Sequence, residues 1–298
     1  MRENVLVLDF GSQYTQLIAR RIRESGVFSE IRPFHVSIDE VIEIGPKAMI
    51  LSGGPASVWD DFSPSLAHKI LELGIPILGI CYGMQLIVHL LGGKVERSQR
   101  REFGPSEMEI TDNADIFSGI PQKTSVWMSH SDRVLELPAG FSSIASSVNS
   151  PIAAMKSDSA KIFGIQFHAE VVHTLYGKEI LSNFLFRIAG CSGDWTPRSF
   201  AENTIKEIRE KVGKSHVICA LSGGVDSSVT ALILQRAIWE RLYCIFVDTG
   251  LLRLDEGSEV LGAYRRMGFN VIHVDAKDRF LKKLRGVTDP EKKRKIIG

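Results

Sequence analysis

The chain has 298 residues, of which 44% are hydrophobic and 24% charged, so disordered, collagen-like and coiled-coil proteins are excluded and about two globular domains are expected. Lys plus Arg (36) nearly balance Asp plus Glu (35), and the net charge of +1 gives no electrostatic case for a nucleic-acid or membrane partner. The apolar runs are too short to span a membrane and no secretory leader precedes the first strand, so a cytoplasmic enzyme is expected.

Strand and helix patterns alternate in the first third of the chain. The buried strand Val5–Asp9 is followed by a helical pattern through Leu17, Ile18 and Ile22. Further strands are predicted at Ala48–Leu51 and Pro76–Ile80, and further helices at Ser65–Leu73 and Tyr82–Leu91. Strands that alternate with helices predict an open, mostly parallel α/β sheet.

The stretch 104–164 has short β-type segments rich in turn residues, and no strong helical pattern returns before Leu175–Ala189. We expect this stretch to add partly antiparallel strands to the sheet. The stretch Cys191–Pro197 is typical of a linker, because turn residues dominate it. The first domain is therefore predicted to cover residues 1–190 and the linker residues 191–199.

A second α/β pattern begins with the helix Ser199–Val212, for which Ser199 and Glu202 predict a capping box. Three strands and two helices follow: strands His216–Leu221, Leu242–Val247 and Asn270–Val274, and helices Ser227–Trp239 and Glu256–Met267. Residues 200–298 are few for a doubly wound domain, so we expect only the N-terminal part of one, with apolar sheet surface exposed. The expected fold class is α/β, with two open, mostly parallel sheets.

The segment Gly79-Ile80-Cys81-Tyr82-Gly83 follows a predicted strand and opens a predicted helix. It is the thiol version of a nucleophile elbow, in which glycines permit a sharp turn that projects the central side chain. The start of the helix favours the thiolate, which is the reactive form of cysteine. The alternative is a cysteine that only packs in the core. The four cysteines are too widely spaced to predict a disulfide framework or a zinc site.

A thiol nucleophile needs a base, a group that orients the base, and donors for the oxyanion. His168 and Glu170 are two residues apart and share a side if the segment is extended, so the carboxylate can hold the imidazole. His168 and His173 do not have the spacing of a zinc-binding H-E-x-x-H motif. The run Ser52-Gly53-Gly54-Pro55 follows another strand, and its glycines allow a backbone N–H to point into a site.

Three motifs together resemble those of the class I glutamine amidotransferases: Gly79–Gln85, Ser52–Pro55 and Phe167–Glu170. The resemblance implies that Cys81 attacks the carboxamide of glutamine, forms a γ-glutamyl thioester and releases ammonia. It implies that His168 and Glu170 complete a triad with the cysteine.

The same resemblance implies an oxyanion hole made by the N–H groups of Gly54 and Tyr82. It implies a glutamine-binding site that includes Gln85, Ser129, His130 and Ser131. Ala169 stands where the family usually has proline. Proline would fix φ near −65°, and alanine can adopt that angle without enforcing it.

The second unit contains an anion-binding pattern between a strand and a helix, Ser222-Gly223-Gly224-Val225-Asp226-Ser227-Ser228. Glycines and hydroxyls at the start of a helix form a cradle for phosphate, although the lysine of the common P-loop is missing. Asp226 would repel a bare phosphate, so we expect Mg²⁺ between its carboxylate and the phosphates. The alternative is a Ser-capped helix after a Gly-rich turn.

This run resembles the PP-loop of the N-type ATP pyrophosphatases, which cleave ATP between the α- and β-phosphates and adenylylate a carbonyl oxygen of their substrate. The resemblance implies that Ser222–Ser228 hold the pyrophosphate of ATP and that Val247 contacts the adenine. Cys219 and Cys244 are predicted to be core residues of the same domain.

An amidotransferase joined to a PP-loop domain resembles the family of glutamine-hydrolysing GMP synthases. Supporting stretches are Leu8–Tyr14, Trp127–His130 and Asp289–Gly298, while Thr249 stands where the family usually has Asn. The resemblance implies that ammonia from glutamine aminates XMP activated by ATP, which yields GMP, AMP and pyrophosphate. The family's C-terminal domain for XMP binding and homodimer formation has no counterpart here. We therefore expect a fragment that makes no GMP by itself, or a chain that functions without that domain.

Two other classes of function stay open. A PP-loop RNA-modifying enzyme would need a catalytic cysteine in the second half and a basic RNA-binding domain. A non-catalytic glutamine- or nucleotide-sensing module would not need the residues Cys81, His168 and Glu170. A basic cluster near the end of the chain is either a solvated face or a surface for a nucleotide or for the missing domain: Lys282, Lys283, Arg285, Lys292, Lys293, Arg294 and Lys295.

Overall fold

The computed structural model describes residues 3–298, except for the side chains of residues 98–101. The chain forms two compact units, Met1–Thr196 and Pro197–Gly298. Each unit contains one β-sheet with helices packed against it. None of the helices in the described part of the chain is both long enough and apolar enough to cross a membrane.

The first unit is built on nine strands: β1 (Val5–Asp9), β2 (Ser29–Pro33), β3 (Ala48–Leu51), β4 (Ile77–Ile80), β5 (Lys94–Ile110), β6 (Lys123–Glu136), β7 (Phe141–Ser147), β8 (Ala154–Ser157) and β9 (Ile162–Ile165). Their order in the sheet is β2-β1-β3-β4-β9-β8-β7-β5-β6. Neighbouring strands are parallel from β2 to β9. They are antiparallel from β9 to β6. The parallel α/β prediction and the antiparallel extension are both confirmed.

The helices of the first unit are α1 (Thr15–Glu24), α2 (Ile38–Ile44), α3 (Tyr82–Leu90) and α4 (Gly177–Ser182), the last continued by a π-helical turn at Asn183–Ile188. Our sequence analysis did not predict α2. Its local signal is a capping box, in which the Ser37 side chain accepts from the Glu40 N–H and the Glu40 carboxylate accepts from the Ser37 N–H.

The predicted helix Ser65–Leu73 is wrong in extent, because only a short 3₁₀ turn, His68–Glu72, forms there. The hydroxyl of Tyr82 donates to the carbonyl oxygen of Pro64. In an α-helix that carbonyl would instead accept from the backbone of residue 68. The Pro64 carbonyl thus has a tertiary partner at the point where a longer helix would begin.

The strand β1 shows why the functional residues collect at one edge of the sheet. Val5 and Val7 pack into a core on one face, while Leu6 and Leu8 pack into a second core on the other. A parallel sheet covered on both faces leaves its strand ends as the accessible positions. Ligands bind such sheets outside the carboxyl ends of the strands, which here are the ends of β1, β3, β4 and β9.

The second unit contains three parallel strands in the order β10 (Val217–Leu221), β11 (Leu242–Asp248) and β12 (Val271–Asp275). Its helices are α5 (Pro197–Val212), α6 (Val225–Ile238), α7 (Glu256–Arg266), α8 (Lys277–Leu284) and α9 (Pro290–Ile297). The helix predicted over Ser199–Val212 begins two residues earlier, at Pro197, so the predicted capping box is wrong because Ser199 lies inside the helix and not at its N-cap. Proline is favoured at the first helical position because its missing N–H needs no partner there.

One face of this small sheet is covered and the other is open. Cys219, Cys244 and Phe246 are buried, which confirms that both cysteines are core residues. On the opposite face, Ile218 is 69% exposed and Ile272 is 45% exposed. The predicted exposure of apolar sheet surface is therefore confirmed.

Candidate active site

Cys81 occupies a sharp turn between β4 and α3. Its backbone adopts φ 52° and ψ −104°, which is unusual for a residue with a side chain and stores strain of about 1–3 kcal/mol. Its N–H donates to the carbonyl oxygen of Ile165 at 2.8 Å, which ties the turn to β9. A side chain at Gly83 would overlap the carbonyl of Leu51, so a glycine is required where the helix passes β3. The elbow predicted from the sequence is confirmed.

His168 and Glu170 form a buried pair beside this turn. The Nδ1 atom of His168 donates to Oε1 of Glu170 at 2.7 Å. Burial alone would lower the pKa of His168, but hydrogen bonds to Cys81 and Glu170, and their charges, raise it to about 10. The imidazole therefore carries a proton on both ring nitrogens at neutral pH and stands beside the sulfur and the carboxylate, as the proton donor of a thiol triad requires.

Backbone contacts fix the position of this pair. The His168 N–H donates to the carbonyl oxygen of Trp127 at 2.9 Å, and the Thr174 hydroxyl donates to the His168 carbonyl oxygen. The Arg21 Nε donates to the carbonyl oxygen of Glu170 at 3.0 Å. Ala169, which lies between the pair, is buried and has no positive φ. Tertiary hydrogen bonds therefore hold this segment in place. A proline at position 169 would have fixed only the backbone angle φ.

Cys81 lines a cavity of about 530 Å³ at the carboxyl ends of the parallel strands. The cavity is also lined by His168, by Gly54 and by all the predicted glutamine-binding residues: Gln85, Ser129, His130 and Ser131. The sulfur lies 3.6 Å from the carbonyl oxygen of Ser129, so β6 passes directly beside the nucleophile. The structure therefore brings together in one cavity residues that are more than 100 positions apart in the chain.

The two predicted oxyanion donors lie at the strand ends beside the thiol. A Cβ atom at Gly54 would be 2.7 Å from the carbonyl oxygen of Phe10, so only a glycine fits there. The Tyr82 ring is buried and does not line the cavity. The oxyanion role of Tyr82 needs only its backbone N–H, which begins α3 and has no partner within the helix.

Gln166 and Asp132 were missed by the sequence analysis. Gln166 is fully buried, donates from Nε2 to the Cys81 sulfur at 3.7 Å, and accepts from the Gln85 Nε2 at 3.2 Å. Asp132 lines the cavity and accepts from the Ser57 hydroxyl through Oδ2, while its buried Oδ1 has no partner among the described residues. Both lie next to predicted site residues, but neither carries a motif that spacing alone could identify.

We expect Gln166→Leu to slow the alkylation of Cys81 by iodoacetamide about threefold to tenfold, because the thiolate loses one hydrogen-bond donor. The rate constant is measured with the substrate-free protein at neutral pH. Gln122→Leu makes the same change at an exposed position and should leave the rate unchanged. Equal rates for both variants and the parent would mean that the amide does not stabilise the thiolate.

The predicted phosphate loop lies at the end of β10 and is exposed. Gly223 adopts φ 84°, and Gly224 is the residue before α6, with extended backbone and no side-chain cap. The Ser228 hydroxyl donates to the Gly224 carbonyl oxygen at 2.7 Å, and the Ser222 and Ser227 hydroxyls are 3.1 Å apart. The loop thus presents uncapped helix N–H groups together with serine hydroxyls, the donor set that phosphate prefers.

The two other residues predicted for the ATP site, Asp226 and Val247, have exposed side chains. Asp226 is exposed in the first turn of α6, and Val247 is 40% exposed on the open face of the sheet. No group of three or more His, Cys, Asp or Glu side chains within the described part of the chain is placed to hold a metal ion. A Mg²⁺ at Asp226 therefore fits only if phosphate oxygens supply most of its ligands.

Comparison with known proteins finds a family model that matches each of the two units. The class-I glutamine amidotransferase family model matches residues 6–188, and a tRNA methyl transferase HUP domain model matches residues 215–255. The chain is 54% identical over 297 residues to the glutamine-hydrolyzing GMP synthase of Caldicellulosiruptor saccharolyticus, covering 99% of this chain and 58% of the relative. It is 53% identical over 298 residues to that of Staphylococcus carnosus, with 100% and 58% covered.

Among solved structures, a candidate GMP synthase subunit from Thermoplasma acidophilum has 30% identity and a TM-score of 0.56, and the match covers 68% of this chain and 98% of that one. The chain spans 58% of the length of the curated relatives named above. The amidotransferase match includes Cys81, His168 and Glu170 and extends over more than half of the residues. The chain belongs to the class-I glutamine amidotransferase family.

Proposed function

We propose that the first unit hydrolyses glutamine to glutamate and ammonia. The observation that carries the proposal is a cysteine on a strained elbow that shares its cavity with an imidazole, whose Nδ1 donates to a buried carboxylate at 2.7 Å. This arrangement supplies a nucleophile and a proton carrier that line one cavity, and a buried carboxylate that orients the proton carrier.

In this mechanism the Cys81 thiolate attacks the carboxamide carbon, and a carbon–sulfur bond forms. The imidazolium of His168 gives its proton to the leaving nitrogen, and ammonia departs as the carbon–nitrogen bond breaks. His168 then takes a proton from water, whose oxygen attacks the thioester carbon and expels the thiolate. Gly54 and Tyr82 donate backbone N–H groups to the oxyanion of each tetrahedral intermediate.

Glutamine is held along the wall of the same cavity. Gln85 is fixed by donating to the Asp132 carbonyl oxygen at 2.8 Å, which leaves its own amide oxygen for the substrate. Ser129 and Ser131 line the cavity from β6. Asp132 lines the same cavity, and its carboxylate is suited to the α-ammonium group of glutamine because the charges are opposite.

We propose further that the ammonia is used to aminate XMP, as the names of the GMP synthases compared above suggest. ATP would bind at the loop Ser222–Ser228, with Val247 against the adenine. A bound Mg²⁺ would neutralise phosphate charge, and Asp226 would be the side chain that holds it. Homodimer formation belongs to the same proposal. It would depend on a C-terminal domain of the kind that the GMP synthase family carries.

An RNA-modifying role is disfavoured, although the match over residues 215–255 is to a domain of tRNA-modifying proteins. Such chemistry would need a reactive thiol in the second unit. Burial raises the pKa of Cys244 to about 11 and also raises the pKa of Cys219, so both remain protonated thiols. A purely sensing module is disfavoured because it would need neither the strained turn at Cys81 nor the buried pair His168 and Glu170.

The glutaminase proposal is tested by incubating the protein with L-glutamine and measuring both products. We expect glutamate and ammonia in equal amounts, with D-glutamine and L-asparagine inactive. Absence of both products from L-glutamine, together with absence of a covalent intermediate after acid quenching, would contradict the proposal.

For the second site, we expect Asp226→Asn to weaken the Mg²⁺-dependent binding of ATP about tenfold and to leave glutamine hydrolysis unchanged. Loss of the carboxylate removes the loop's own negative charge, which would face the metal. Binding is measured by titration calorimetry with and without Mg²⁺. Asp278→Asn, at an exposed position on α8, is the matched control. An unaltered Mg²⁺ dependence would remove Asp226 from the proposed site.

A further inference from the structure

Thr174 carries a buried hydroxyl that the proposed mechanism does not use. It belongs to the segment of residues 167–175, the triad segment, which also carries His168 and Glu170. Thr174 is 4% exposed, so its hydroxyl depends on partners within the protein. The hydroxyl accepts from the backbone N–H of Trp127 at 3.0 Å and donates to the carbonyl oxygen of His168. It therefore acts as donor and acceptor at the same time, which a hydroxyl can do.

The hydroxyl completes a backbone pairing between the triad segment and β6. The His168 N–H donates to the Trp127 carbonyl oxygen at 2.9 Å. Two residues bonded directly in an antiparallel ladder would also exchange a second bond, from the Trp127 N–H to the His168 carbonyl oxygen. The Thr174 hydroxyl takes the place of that second bond, because it binds both of these groups. One side chain thus satisfies two backbone groups that would be costly to leave unpaired in the interior.

The strand β6 also lies beside the nucleophile. The carbonyl oxygen of Ser129 is 3.6 Å from the Cys81 sulfur. At the end of the triad segment, the Leu175 N–H donates to the Ser125 carbonyl oxygen at 3.1 Å. β6 therefore contacts the nucleophile and anchors the segment of its proton donor within the same few residues.

We propose that Thr174 is a positioning residue, whose hydroxyl fixes the backbone of His168 against β6 and so sets the distance from the imidazole to the Cys81 sulfur. The assignment rests on the proposed glutaminase function, in which this imidazole gives a proton to the leaving nitrogen. Thr174 does not line the cavity, so it acts only through His168. Glu170 holds the imidazole ring through Nδ1 at 2.7 Å, and Thr174 holds the backbone from which the ring projects.

Other contacts also hold the triad pair, and the experiment must separate them from the hydroxyl. The Arg21 Nε donates to the carbonyl oxygen of Glu170 at 3.0 Å. The ring of Tyr14 packs against the His168 ring at an interplanar angle of 66°, with the ring centroids 5.0 Å apart. Thr174→Val leaves both contacts in place and removes only the hydroxyl, because valine and threonine have nearly the same shape.

The test measures kcat and KM for glutamine hydrolysis. We expect Thr174→Val to lower kcat about 10- to 100-fold and to leave KM within about twofold, because a misplacement of about 1 Å at a reacting group is enough for such a loss. Thr174→Ser keeps the hydroxyl and should retain kcat within about threefold of the parent. Thr124→Val is the matched control: it makes the same change at a buried position of β6 whose hydroxyl has no partner among the described residues. It should keep the parent kcat.

A second measurement does not depend on turnover. The rate of alkylation of Cys81 by iodoacetamide is determined in the substrate-free protein at neutral pH, because an imidazolium beside the sulfur favours the reactive thiolate. Thr174→Val should slow the alkylation about threefold to tenfold, and Thr174→Ser should restore the parent rate. This pattern in a protein that never releases glutamate would support the assignment of Thr174 and contradict only the glutaminase proposal.

Thr174→Ala keeps the proposal testable if Thr174→Val does not fold. The smaller side chain leaves room for a water molecule in the place of the hydroxyl, so we expect a smaller loss of kcat, about threefold to tenfold. Parent kcat in a folded variant that lacks the hydroxyl, equal losses in Thr174→Val and Thr174→Ser, or an equal loss in Thr124→Val would overturn the proposal. A change in KM alone would overturn it as well, because it would place Thr174 in substrate binding.

Discussion

Replacing Cys81 by alanine is expected to abolish glutamine hydrolysis, with a loss of at least about 10³-fold in the rate of glutamate release. No other thiol can take over. The remaining cysteines are buried, and burial raises the pKa of Cys191 and Cys244 to about 11 and that of Cys219 in the same direction. Glutamine binding should persist, because the substitution removes only the sulfur from the cavity wall.

The measurement is coupled-enzyme detection of glutamate from purified protein, with Cys191→Ala as the matched control for the loss of a thiol elsewhere. We expect the control to keep the parent rate, because Cys191 lies outside the cavity. Glutamate release by Cys81→Ala at the parent rate would show that the nucleophile has been assigned to the wrong residue.

Glu170→Gln is expected to lower kcat about 10²- to 10⁴-fold, because the imidazole loses the carboxylate that orients it and stabilises its charge. The variant should also change the pH profile in a defined direction. In the parent, the partners of His168 raise its pKa to about 10, so the imidazolium is present throughout the neutral range. Removing the carboxylate charge lowers this pKa, so the alkaline limit of the imidazolium-dependent rate moves to lower pH.

The measurement is kcat/KM for glutamine from about pH 5 to about pH 11, a range that extends beyond both the ordinary and the raised pKa of histidine. Glu179→Gln, an exposed carboxylate on α4, is the matched control and should reproduce the parent profile. A Glu170→Gln profile that keeps its alkaline limit while only its height falls would mean that the carboxylate positions the ring without stabilising its charge.

The residues proposed to react could be identified from the sequence because each is marked by a local pattern. The glycines around Cys81 predict a tight turn independently of the rest of the fold, and the structure gives Cys81 a φ of 52°. His168 and Glu170 are close in sequence, so their pairing needed no knowledge of distant strands. The Ser222–Ser228 loop could likewise be identified because its residues are consecutive in the sequence.

What could not be predicted depends on strand register. Glu102 and His130 become neighbours only because β5 and β6 pair across a register shift between Arg97 and Glu102. No pattern along the chain indicates that irregularity. Gln166 likewise acquires a partner, Gln85, from a distant helix. In the segment of the wrongly extended helix Ser65–Leu73, the Pro64 carbonyl likewise has a partner on another element, the hydroxyl of Tyr82.

The central claim, that Cys81 is the nucleophile of a glutamine-binding cavity, is tested most directly with 6-diazo-5-oxo-L-norleucine, a glutamine analogue that alkylates the attacking group. The protein is incubated with the reagent, digested, and mapped by peptide mass spectrometry, with and without excess L-glutamine. We predict one adduct per chain, on Cys81, which L-glutamine suppresses and L-asparagine does not. Labelling of Cys191, Cys219 or Cys244, or labelling of Cys81 that glutamine fails to suppress, would contradict the account.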